Sequence, residues 1–276
     1  MQSVKIVDLS DIAKEDIVKE DIAKEDIIQD FNPTTLKLPL SMIILGKSRS
    51  GKTEQVHRII YAIQKQIGAI YLFSQTAMIN KDQFKYIPEN NLHTTLDLDF
   101  IENLIQFQKE TPKKDRKNVV ILLDDIIGDQ NIKSNVIRDL FTLGRHFKIS
   151  VIFLSQSYKQ TGGMSTIIRE NTNYVISFFQ HHADRRKSFC KEFCSIKSSK
   201  EGEEIYKKIT SEPFQSVVIN CLNTKVRDYF GYLMKYKVNM DEKIPKFVIE
   251  NKIKRRRKIK LGNGNKKTPV MELNLL

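Results

Sequence analysis

The sequence predicts an α/β fold of three layers, with a largely parallel sheet between two layers of helix. Five short apolar runs, residues 40–45, 69–73, 119–123, 151–154 and 174–178, each end in polar or turn residues. Uniform apolarity over so short a span reads as strand buried on both faces, the signature of a parallel sheet. Helical spacing fills the gaps between runs. Over residues 100–110, Phe100, Leu104 and Phe107 share one helical face, and Thr111-Pro112 stops the pattern. The first run is followed at once by a glycine-rich loop.

The acidic segment ahead of this core is DIAKE DIVKE DIAKE DIIQD, residues 11–30. Its apolar pairs repeat every five residues, so they precess around a helix and form no docking stripe. A disordered or loosely helical arm over residues 1–32 is expected, closed by Phe31, Asn32 and Pro33, with an inert extension favoured over a partner-binding one. The core spans 33–182. Residues 183–245 are expected to form the C-terminal part of the same domain, a charged helical stretch and a hairpin of 217–222 with 229–234 that make a small appendage to the core. Residues 246–276 form a basic tail in which KIKRRRKIK, residues 252–260, is too self-repulsive to pack.

Charge narrows the partner class. Residues 1–32 hold nine acidic side chains against four lysines, a net of −5, so the rest of the chain carries +18 and the whole +13. A body of that charge attracts polyphosphate or an anionic membrane. With no amphipathic basic helix, nucleic acid is favoured over a membrane, and plain solubility is the competing reading. No run of eighteen uncharged apolar residues occurs, and MQSVKIVDLS lacks an apolar signal core, so cytosol-like surroundings are expected, the basic tail leaving the nucleus open. Three cysteines, Cys190, Cys194 and Cys221, are too few for a disulfide framework and are expected as thiols.

The loop after the first run is GKSRSGKT, residues 46–53, with Gly46, Gly51, Lys52 and Thr53 in G-x-x-x-x-G-K-[ST] spacing. Glycines let backbone N–H groups wrap phosphates, and the amides of the following helix add positive potential. Lys52 then reaches the β and γ oxygens and Thr53 holds Mg²⁺. The ATP-binding set is Gly46, Lys47, Ser48, Arg49, Ser50, Gly51, Lys52, Thr53 and Glu54. Some seventy residues on, NVVILLDD is an apolar strand ending in Asp124 and Asp125. The first carboxylate is assigned to Mg²⁺ and the second to the attacking water. In GRHFKISVIFLSQS a strand ends at Ser155 and Gln156, where a polar side chain faces a terminal phosphate. Arg145 precedes that strand. It either reaches a neighbouring subunit's nucleotide or simply faces a helix dipole.

GKSRSGKT, VVILLDD and GRHFKISVIFLSQS together resemble the FtsK/HerA superfamily of P-loop ATPases, above all its poxvirus-type DNA-packaging branch, over residues 36–180. The resemblance implies the strand order 5-1-4-3-2, numbering the runs along the chain. It implies a homo-oligomeric ring moving double-stranded DNA with ATP and Mg²⁺, in host cytoplasm, beside capsid or other assembly proteins. Lys52, Thr53, Asp124, Asp125, Gln156 and Arg145 match the family's positions. Many relatives have glutamate at the place of Asp125, and the shorter arm weakens that residue as the base. TGGMSTIIRENTNYVISF adds modest support, with Arg169 read as one half of a surface ion pair.

Other patterns compete. Asp125-Ile126-Ile127-Gly128 fits a GTPase D-x-x-G, yet no N-K-x-D follows at the end of a later strand. Arg185, Arg186 and Lys187 allow a small-molecule kinase lid, and a nucleotide-holding scaffold without turnover also fits. His181, His182, Cys190 and Cys194 offer zinc ligands, although the spacing favours a helix with two buried cysteines. Tyr229, Phe230, Tyr232 and Tyr236, set among Arg227, Lys235 and Lys237, read as the packed face of a hairpin before a base-stacking surface.

Overall fold

In the computed structural model, residues 28–126, 129–156, 165–194, 198–223 and 232–253 are described. The first 27 residues of the acidic arm, Ile127-Gly128, the TGGM segment, Arg227, Tyr229, Phe230 and the tail beyond Ile253 lie outside them. The strands are β1 Ser41–Leu45, β2 Ala69–Ser74, β3 Leu92–His93, β4 Val119–Asp124, β5 Ile149–Ser155, β6 Tyr174–Phe178, β7 Gln215–Asn220 and β8 Leu233–Lys237. The helices are α1 Lys52–Ile63, α2 Leu98–Glu110, α3 Asn135–Leu143, α4 Thr166–Glu170, α5 Ala183–Phe193 and α6 Ser199–Ile209.

One eight-stranded sheet runs β3-β2-β4-β5-β1-β6-β7-β8. The five apolar runs of the sequence are β1, β2, β4, β5 and β6. Read from β6 to β2 they stand in the expected order 5-1-4-3-2, all parallel. The structure adds an edge strand beside β2, and an antiparallel pair, β7 and β8, that continues the sheet past β6. The hairpin is thus part of the main sheet, and its second strand is displaced to Leu233–Lys237, where Leu233 is fully buried and Met234 and Tyr236 pack on the opposite face.

Alternation along the strands divides the core into two layers. Ile43, Leu45, Tyr71, Phe73, Ile121, Leu123, Val151 and Phe153 face the layer of α2, α3, α5 and α6. Met42, Ile44, Ile70, Leu72, Val120, Leu122, Ile152 and Leu154 face α1, which docks through Val56, Ile59, Ile60 and Ile63. Polar caps start four helices: Asp97 accepts from Phe100 N, Ser134 from Ile137 N, Ser165 from Ile168 N and Ser198 from Glu201 N.

On α2 the buried stripe is Ile101, Leu104 and Gln108, not Phe100, Leu104 and Phe107. The Gln108 amide donates to Lys117 O at 2.7 Å, which satisfies a polar side chain in the core. Phe100 sits half-buried at the margin, 5.0 Å from the Tyr71 ring and 4.8 Å from His93.

The arm joins the far edge. Phe31 N donates to Lys235 O at 2.8 Å and Lys235 N to Gln29 O at 2.9 Å, while the Phe31 ring meets Tyr236 edge-on at 5.7 Å. Tyr232 donates to Phe193 O at 2.9 Å, so the two described tyrosines of the hairpin are packing residues.

Because Phe153 is fully buried at the middle of the sheet, Phe153→Ala should lower stability by about 3–5 kcal/mol in urea denaturation. A loss under 1 kcal/mol would contradict the two-layer packing.

Candidate functional site

A parallel sheet gathers the carboxyl ends of its strands on one edge, and there β1, β4 and β5 deliver their loops to a common cleft of about 910 Å³. Gly46 leaves β1 with its N–H bonded to Ser155 O at 3.0 Å, tying the glycine loop to the end of β5. A Cβ at Gly46 would lie 2.4 Å from Ser50 Oγ and 3.1 Å from the Phe178 ring, so a larger residue there would push both side chains aside. Gly51 takes φ 102, a left-handed value open to glycine, and starts α1 without any side-chain cap. The first amides of α1 are therefore directed at the loop.

Inside the loop the Lys52 ammonium donates to Gly46 O at 2.6 Å and Lys47 O at 2.8 Å. Burial pushes Lys52 below the ordinary lysine range, and Asp124 and Asp125 pull it back up. Burial, with Asp125 beside it, raises Asp124 to about 6, opposed by Lys52 and by the Ser74 hydroxyl, which donates to Asp124 Oδ2 at 3.5 Å. Lys52 and Asp124 are therefore both partly dehydrated at the same cleft. Asp125 is exposed and holds φ 52, a left-handed conformation that costs a non-glycine residue about 1–2 kcal/mol. Arg49, at φ 61, is a left-handed non-glycine residue in the loop.

Ser48, Arg49, Gly51, Lys52, Thr53 and Glu54 line the cleft on the loop side, facing Asp124, Asp125 and Gln156. Lys47 and Ser50 line a second hollow of about 640 Å³ beside the loop. Glu54 forms an ion pair with Arg58 Nε at 3.1 Å.

The residues fit a nucleotide polyphosphate and a hard divalent cation. Ser50 Oγ is buried without a hydrogen-bond partner among the described residues, and a side chain at Gly46 would push it aside. Thr53 and Asp124 supply a hydroxyl and a carboxylate. That is a sufficient protein share for Mg²⁺, which takes its remaining oxygens from phosphate and water.

Arg145 stands apart. It lies in the turn Gly144–Phe147 at the opposite end of β5, exposed, with the seven residues of that strand between it and Gln156. The separation is on the order of 20 Å. Within one chain it does not reach the cleft.

Among the rival sites, Arg186 is committed to Glu203 at 2.9 Å and Gln180 O at 3.0 Å. Arg169 pairs with Glu192 at 2.7 Å. Cys190 and Cys194 are fully buried on α5 and its end, whereas His181 and His182 are exposed, and no metal-holding cluster of His, Cys, Asp or Glu occurs among the described residues.

Sequence reasoning missed Ser74, Thr76, His57, Phe214 and Met240 of this site. Ser74 had a signal, since it ends an apolar run and pairs in register with Asp124. His57, on the second turn of α1, stacks on Tyr86 at 5.0 Å and 8°.

Residues 29–202 match the family described as Poxvirus A32 protein. The DNA packaging protein OPG160 of variola virus is 29% identical over 152 residues, covering 52% of this chain and 54% of that protein. An uncharacterized mimivirus protein, L666, is 24% identical over 146 residues, covering 50% of this chain and 57% of its own length. The chain thus spans about half the length of the curated relatives it matches. Among solved structures, the genome packaging NTPase B204 of Sulfolobus turreted icosahedral virus 2, in complex with ATP-gammaS, superposes with a TM-score of 0.51 at 16% identity. The superposition covers 75% of this chain and 98% of that one, and the likeness is one of fold. With more than half its length inside the family match, and with the glycine loop and paired acids at the carboxyl edge of the sheet, this chain belongs to the poxvirus A32 protein family.

Proposed function

We propose that the chain is an ATPase that drives double-stranded DNA into a viral capsid. The observation that carries this reading is the Lys52 ammonium facing Asp124 and Asp125 across one cleft, beside an uncapped helix start. That arrangement suits phosphoryl transfer, in which catalysis is positioning and charge stabilisation.

In this mechanism the loop amides and Lys52 hold the β and γ phosphates. Thr53 and Asp124 would hold Mg²⁺, which would supply charge neutralisation at the phosphate oxygens. Asp125 orients a water for in-line attack on the γ phosphorus and accepts its proton, and ADP leaves with inorganic phosphate. Gln156 contacts the γ phosphate or the water. Arg145 serves only in trans, at the cleft of a neighbouring copy in a ring.

DNA as the cargo is supported by the name of the variola relative, a DNA packaging protein, and by a basic end of the sheet. Arg116 donates to Thr111 O at 2.8 Å, Lys109 O at 3.0 Å and His146 O at 3.1 Å, knitting two turns together. Exposed Lys109, Lys113, Lys114, Lys117 and Arg145 surround it. Lys252 N donates to Gly68 O at the same end, and the basic run of the tail follows in sequence. Lysine contacts to phosphate carry no base readout, so grip is sequence-independent. The arm at 1–32, the core at 33–182, the segment 183–245 and the tail from 246 then act as one motor subunit. Among the described residues no helix is long and apolar enough to cross a membrane, and work at cytoplasmic assembly sites is the reading we adopt.

Lys52→Ala should reduce DNA-stimulated ATP hydrolysis at least 100-fold, on the order of 3 kcal/mol of transition-state stabilisation, in a phosphate-release assay. Nucleotide bound by the parent chain and never hydrolysed would favour a scaffold instead. Asp125→Asn should lower kcat while leaving nucleotide affinity within about threefold, a gap of under 1 kcal/mol.

The acidity of Asp124 gives a signed prediction. Its folded pKa of about 6 lies above the unfolded value of 3.8, so the folded state holds the extra proton between them and stability falls as pH rises through that window. Asp124→Asn should therefore melt several degrees above the parent at pH 8, and no higher at pH 4. Equal melting shifts at both pH values would contradict the burial of this carboxylate.

A further inference from the structure

Two exposed apolar side chains, Phe214 and Met240, line an otherwise largely polar cleft. Phe214 is 36% exposed and Met240 51%. Neither belongs to the phosphate loop or to the acidic strand, and both come from the hairpin at the far side of β1. The register explains their position. Phe178 pairs with Ser216 and Gln215 with Lys237, so the start of β7 and the end of β8 reach the same edge of the sheet as the glycine loop.

Both residues are held in place. Phe214 takes φ 60, an uncommon conformation for an aromatic residue. Its carbonyl accepts from Val238 N at 3.1 Å, and Glu212 and Lys237 close the corner with an ion pair. The ring lies against the loop, since a Cβ at Gly51 would stand 3.2 Å from Phe214 Cδ1. Met240 sits on a turn clamped by Arg58 of α1, which donates to Asn239 O at 2.5 Å and Glu242 O at 2.6 Å and pairs with the Glu242 carboxylate at 3.1 Å. The helix that begins at the glycine loop thus fixes the turn that carries Met240.

Direction follows from strand order. Asp124, Asp125 and Gln156 end β4 and β5, on one side of β1, whereas Phe214 and Met240 flank the hairpin on the other side, past β6. A triphosphate seated in the loop with its γ phosphate toward the acids runs its α phosphate, and the nucleoside beyond, toward the hairpin. We propose that Phe214 and Met240 form the nucleobase platform of this cleft, the base stacking on the Phe214 ring with Met240 packing beside it. The inference rests on the nucleotide reading of the loop and deepens it. An apolar platform gains from ring area and from removing that area from water, so it distinguishes a nucleotide from a bare polyphosphate.

The test compares adenosine 5′-(β,γ-imido)triphosphate with inorganic tripolyphosphate, both with Mg²⁺, by isothermal titration calorimetry on the full chain. Phe214→Ala should weaken the imidotriphosphate at least about tenfold and change tripolyphosphate less than about twofold. Phe214→Tyr, which keeps the ring, should bind the nucleotide like the parent, and Met240→Ala should show a smaller loss confined to the nucleotide. Equal loss for both probes, or none for either, would overturn the platform while leaving the loop intact as a phosphate site. A parent chain that binds neither probe would overturn the nucleotide reading itself, and the platform with it.

Discussion

A half-buried lysine ammonium and the carboxylates of Asp124 and Asp125 line one cleft, and the rest of the molecule is the frame that brings them there. Lys52 starts a helix, Asp124 ends a strand, and two strand positions separate β1 from β4 in the sheet. Their parallel direction brings both carboxyl ends to one edge, and β5 between them sets the width of the cleft. The uniform apolarity of those strands, buried on both faces, is what holds the order. Charge at this edge is costly, as the raised Asp124 and lowered Lys52 show, and sites that bear such cost are where chemistry concentrates.

The loop is also tied to the sheet's other half. Gln55, one turn into α1, is buried and donates to Ser216 Oγ at 3.0 Å, and Ser216 in turn donates to Tyr236 O at 3.2 Å. Arg58 adds its clamp on residues 239–242 from the same helix. The start of α1 is therefore linked both to the acids on one side and to the hairpin on the other. The segments flanking the hairpin, through Phe214 and Met240, form one wall of the cleft.

Legibility followed the range of the interactions involved. The glycine loop was readable because its demands are local: small residues for a tight turn, then a lysine and a hydroxyl at fixed offsets. The five strands were readable because burial on both faces leaves an unbroken apolar run. Ser74 was half-visible, being the polar end of a run, but its role needs the register that sets it against Asp124. Phe214 and Met240 were hidden, since they matter through a left-handed backbone at Phe214 and a clamp on residues 239–242 from Arg58, 181 residues before Asn239. The burial of Gln108 on α2 was hidden for a similar reason, because it is satisfied only through a partner, Lys117 O, outside its own helix. Arg145 follows the sequence pattern of a sensor-strand arginine, and strand length carries it to the end of the sheet opposite the cleft.

The most direct measurement is a crystal structure of the chain with Mg²⁺ and a non-hydrolysable ATP analogue. The account predicts the triphosphate wrapped by the amides of residues 46–53, with the cation between Thr53 and Asp124. A nucleotide bound elsewhere, or Asp124 and Asp125 turned away from the phosphates, would contradict it.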